Sequence, residues 1–72
     1  MNMNETIVST LKMYYGVSEC IVYEKSEDRQ IEVMCVGGDV DFVCIALKQI
    51  CDSDSVDLVL SDKDKYLFRV NL

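Results

Sequence analysis

Four cysteines and thirteen acidic residues are the groups in this 72-residue chain that could do chemistry. The cysteines stand at Cys20, Cys35, Cys44 and Cys51. Their separations match neither a Cys-x-x-Cys redox motif nor a paired zinc pattern, and no histidine is present to complete a mixed site. No metal and no cofactor is therefore expected. Each cysteine lies in an apolar stretch, where a reduced thiol acts as a small hydrophobe, so all four read as core residues of a protein kept in a reducing compartment. A disulfide framework would go with an export signal, and the first residues lack the basic-then-apolar layout of one.

Nucleophilic catalysis needs an activated nucleophile with a base to hand. Without histidine that base would be a carboxylate or a lysine, and no spacing supplies the pairing. Two-carboxylate chemistry is open in principle to Asp39, Asp41, Asp52, Asp54 and Asp57. Short acids beside helix ends and turns are nevertheless accounted for by capping and by the helix dipole. The run from Asp52 to Asp57 lacks the glycine and the twelfth-position glutamate of a calcium loop. Gly37-Gly38 lacks the lysine and third glycine of a phosphate cradle. The chain reads as non-enzymatic.

The acidic surplus points elsewhere. Thirteen acids against seven bases leave a net charge of −6, which repels phosphate backbones and anionic membranes. Neither direct nucleic-acid binding nor membrane binding is expected, whereas a basic protein partner would be attracted. The candidate contact acids are Glu24, Glu27 and Asp28 at a first hairpin, Asp39 and Asp41 at a helix start, and Asp52, Asp54 and Asp57 beyond its end. Spread along one edge, they could imitate nucleic-acid phosphates and occupy a basic groove. Small phage-encoded inhibitors of host defence, anti-CRISPR proteins among them, block nucleic-acid-binding complexes in this way, and the likeness is one of size, charge and lack of catalytic residues. Tyr14 is a further candidate contact, with a large apolar body and a polar tip. No apolar run approaches the roughly 18 residues of a membrane span, and a cytoplasmic location is expected.

These residues must be held by elements that the hydrophobic periodicity delimits. Asn4 is positioned to cap a helix running to about Tyr15, with Gly16 as its stop. A strand from Ser18 to Lys25, a turn over residues 26–29 and a strand from Gln30 to Val36 make a hairpin. Asp39 then caps a second helix that carries Val40, Val43, Cys44, Leu47 and Cys51 at helical spacing. A strand with Val56, Leu58 and Leu60, a polar turn and a last strand with Tyr66, Phe68 and Val70 complete the chain.

The order helix, strand, strand occurs twice. Two helices with one apolar stripe each need a shared surface, so the expected fold is a single α+β domain, αββαββ, with both helices on one face of a four-stranded antiparallel sheet. Unbroken alternation would turn Ile21, Tyr23, Leu58 and Leu60 toward the helices. It would turn Val22, Met34, Val36, Val59 and Leu67 away, among Glu24, Glu32, Asp57 and Arg69. That second face is too apolar to be fully wet, and half of all residues are apolar in a chain that buries only about 60% of its surface on folding. The five apolar residues form a candidate self-association surface, for a homodimer or structural subunit.

Overall fold

The computed structural model describes residues 2–25 and 29–72. The chain runs α1 (Met3–Tyr14), β1 (Val17–Lys25), β2 (Gln30–Gly37), α2 (Val40–Cys51), β3 (Val56–Asp62) and β4 (Lys65–Asn71). This is the expected αββαββ architecture, with the helices packed against a four-stranded antiparallel sheet. The turn expected over residues 26–29, with Glu27 and Asp28, lies largely outside the described residues.

The first helix starts earlier than the spacing predicts. Asn2, in extended conformation, accepts the Glu5 amide at 2.9 Å and is the cap. Asn4 sits in the first turn instead, where its amide donates to Glu24 Oε1 at 2.7 Å and ties α1 to β1. The second helix begins as expected, with Asp39 Oδ1 accepting the amides of Asp41 and Phe42.

The strand order is β1-β2-β4-β3, so exchanging the two αββ halves leaves the order unchanged. β2 and β4 pair at the centre, and β1 and β3 are the edges. The junction between β2 and α2 is pinned against the end of α1. Gly38 has φ +79°, and a Cβ there would lie 2.6 Å from the Tyr15 carbonyl oxygen, so only glycine admits this approach. Beside it, the Tyr66 hydroxyl donates to the Gly37 carbonyl at 2.6 Å.

The core lies between the layers. Ile7 and Leu11 from α1, and Val43 and Leu47 from α2, close over Val33, Cys35, Phe68 and Val70. Each such side chain contributes about 1.5–3 kcal/mol by leaving water. Tyr66 and Phe68 meet edge to face, with centroids 5.7 Å apart and planes at 83°.

Two bulges overturn the unbroken alternation expected of β1 and β3. The register shifts between Val17 and Glu19, after which Cys20 pairs with Cys35 and Val22 with Val33. Because Cys35 and Val33 are buried under the helices, Cys20 and Val22 share that face and pack on the core. Ile21 and Tyr23 therefore point away, the reverse of the expectation, and Glu24, opposite Ile31, moves to the helix side. In β3 the shift between Leu58 and Leu60 leaves Val59 without a paired residue. Leu58 stays opposite Phe68, while Leu60 turns to the open face opposite Leu67.

Candidate functional site

With the helices on one side, the other face of the sheet is open, and its cross-strand pairs form rows. Ile21, Met34, Leu67 and Leu60 make one apolar row that crosses all four strands. The next row is Tyr23, Glu32, Arg69 and Asp57. On the other side of the apolar row lie Glu19, Val36, Lys65 and Asp62. Neighbours within a row stand about 4.5–5.5 Å apart, close enough for their side chains to touch. Glu32 is the centre of the charged row, 3.4 Å from Lys25 Nζ and 3.3 Å from Arg69 Nη2, with its side chain only 15% exposed. Arg69 Nε is buried without a hydrogen-bond partner among the described residues.

The apolar row is wet at both edges. Ile21 is 46% and Leu60 65% exposed, while Met34 and Leu67 at the centre are half-buried. Tyr23, Met34, Leu60 and Leu67 wall a shallow depression of about 420 Å³, with Asp62 and Lys65 also lining it. Three of the five residues expected to form a self-association surface thus share the open face: Met34, Val36 and Leu67. Val22 is turned inward and Val59 sits in the bulge, while Ile21, Tyr23 and Leu60, expected inside, take their places.

The candidate contact acids are not aligned on one edge. Glu24, Asp52, Asp54 and Asp57 lie at the end of the sheet where β1 and β4 finish and α1 begins. Glu24 and Asp57 are on opposite edge strands, about 14 Å apart at the usual strand spacing. Asp39 and Asp41 lie at the other end, a helix length of about 18 Å from Asp52. There they join Asp62, at the end of β3, and Asp64 of the β3–β4 turn. The arrangement is two acidic ends rather than one acidic edge.

The charges of the open face nearly cancel. On the open face Glu19, Glu32, Asp57 and Asp62 are set against Lys25, Lys65 and Arg69, leaving one negative charge. Of the other five in the net charge of −6, Glu27 and Asp28 supply two and lie outside the described residues, and the helices add none, with Glu5 and Lys12 on α1 and Asp41 and Lys48 on α2. The helix layer also presents exposed apolar groups. Tyr14, expected as a contact, is 74% exposed at the end of α1, next to Met13 at 70%. Phe42 is 61% and Ile45 50% exposed on α2. Their signal in the sequence is their position off the Val43–Leu47 stripe, which leaves them pointing outward.

The cysteines occupy the interior side. Cys35 is buried, and Cys20, Cys44 and Cys51 are half-buried and pack against the core. Hydrogen bonding with Cys35, helped by the charge of Lys12, lowers the Cys20 pKa against the opposing effect of burial. The same hydrogen bond, then burial, raises that of Cys35. Burial alone raises Cys51. Among the described residues no three histidine, cysteine or acidic groups are placed to hold a metal ion, and no helix is long and apolar enough to cross a membrane. No protein-family model, curated protein or solved structure matches the chain.

Proposed function

We propose that this protein is a non-enzymatic binding module that inhibits or regulates a larger basic protein of the nucleic-acid-binding kind, in the manner of small phage-encoded anti-defence and anti-CRISPR proteins. The observation that carries this reading is the division of charge. The open sheet face carries one net negative charge, while outside it Glu24, Asp52 and Asp54 gather at one end of the molecule and Asp39, Asp41 and Asp64 at the other. At one of those ends exposed Tyr14 and Phe42 stand on the same side of the molecule as Asp39 and Asp41, a combination of apolar anchors and acids that suits a basic surface.

The test is affinity capture of a nucleic-acid-binding complex from the native host, with Asp41→Lys and Asp54→Lys as probes, one at each acidic end. Each reversal should weaken capture by roughly five-fold, the worth of about 1 kcal/mol for a rim charge. Unchanged capture with both reversed would remove the charge argument.

A second reading, association of two copies through the open face, is supported by the apolar row that spans all four strands. The two longer dimensions of the molecule are 30 and 26 Å. Within that outline the paired part of the sheet, four strands about 4.8 Å apart and about seven residues long at about 3.3 Å each, offers on the order of 450 Å² per partner, toward the low end of specific interfaces. Its charges of both signs permit self-complementary pairing. The two readings are compatible, because pairing through the open face does not involve Asp39, Asp41, Asp52 or Asp54.

A further inference from the structure

Cys20 and Cys35 are the directly opposed residues of β1 and β2. The ladder also shows which kind of site they occupy. The Gly37 amide donates to the Asp64 carbonyl of the β3–β4 turn at 2.8 Å, and the Leu72 amide to the Arg29 carbonyl at 2.8 Å, so the odd-numbered residues of β2 aim their backbone groups at the β4 side. Cys35 therefore makes its backbone bonds with β4, and toward β1 it belongs to a non-hydrogen-bonded pair. Such pairs hold their Cα atoms about 4.5 Å apart, with the side chains close together on one face. That lies within the roughly 4.4–6.8 Å range that a disulfide spans.

We infer that Cys20 and Cys35 form a thiol–disulfide exchange site, which a low-molecular-weight disulfide closes to an intramolecular bridge and a dithiol reopens. The two thiols differ as the chemistry requires. Cys20, half-buried on an edge strand, is the one a small disulfide can reach, and its lowered pKa favours the attacking thiolate. Cys35 is fully buried behind it.

Cys20 thiolate attacks one sulfur of oxidised glutathione, whose S–S bond breaks and releases one glutathione. Cys35 then attacks Cys20 Sγ, forming the protein disulfide and expelling the second glutathione. Two electrons pass from the cysteine pair to the oxidant, and the two thiol protons end on the two glutathiones. The bridge forms on the helix side, while the adjoining pair, Ile21 and Met34, belongs to the apolar row of the open face. The inference is independent of the proposed partner.

Incubation of the full chain with oxidised glutathione, alkylation of the remaining thiols and peptide mapping tests it. The expected result is one Cys20–Cys35 link, reversed by dithiothreitol, with Cys44 and Cys51 recovered alkylated. Cys35→Ala should trap glutathione on Cys20, and Cys20→Ala should leave Cys35 unmodified. Recovery of Cys20 and Cys35 in alkylated form, or links shared with Cys44 or Cys51, would overturn the inference. Mapping the native chain decides the matter even where a variant fails to fold.

Discussion

Tyr66 joins three features of the structure in one side chain. Its ring is buried against Phe68, its hydroxyl holds the Gly37 carbonyl, and Gly38 follows at the tight approach to Tyr15. Burial, assisted by the nearby Cys35, Cys20 and Asp39, pushes its pKa up to about 12. Because the folded value exceeds the ordinary tyrosine value of about 10, the unfolded chain releases this proton first. The contribution of Tyr66 to stability is therefore complete below about pH 10 and falls as the pH rises toward 12. Urea midpoints should decline over that alkaline window in the native chain, and Tyr66→Phe should remove this part of the decline. At neutral pH the same variant loses one hydrogen bond and should cost about 1 kcal/mol. An equal alkaline decline in both proteins would show that Tyr66 is not the group responsible.

At the scale of elements, the sharpest claim concerns the faces of β1. Val22 packs against the core and Ile21 lies on the open face. In urea unfolding, Val22→Asp should cost about 3 kcal/mol, because it brings a carboxylate under the helices, and Ile21→Asp about 1 kcal/mol or less. The reverse order would mean that the strand is registered as simple alternation predicts. The helices, the four strands and the Asp39 cap were all legible, since helical spacing and turn residues speak for themselves. The faces of β1 were not, because Cys20, Ile21, Val22 and Tyr23 are apolar in succession and periodicity cannot choose between them. What decides is the partner strand, where Ile31, Val33 and Cys35 are buried and alternate with half-buried residues. Likewise nothing local announces the bulge at Val59, which separates Leu58 from Leu60. Asn2 was missed as a cap because Asn4 offers the same chemistry two residues later.

At the scale of the whole molecule, the open face and the acidic ends make separate claims. Met34 is at the centre of the apolar row, half-buried with its side chain on the open face. Met34→Glu should leave the monomer folded while disrupting any assembly through the sheet. Light scattering should then report a dimer for the native chain and a monomer for the variant. The same mass for both proteins would exclude the sheet as the association surface. The candidate acids were visible in the sequence as residues, but their grouping was not, because it depends on α2 running the length of the sheet and placing Asp39 and Asp52 at opposite ends.

The proposed function sets the acidic ends of the molecule against a basic, nucleic-acid-binding partner. Its most direct test is capture of that partner by the tagged protein at low and at moderate salt, with added nucleic acid as competitor. Recovery is expected at low salt, falling as salt rises and displaced by the competing polyanion. Recovery indifferent to both salt and nucleic acid would contradict it.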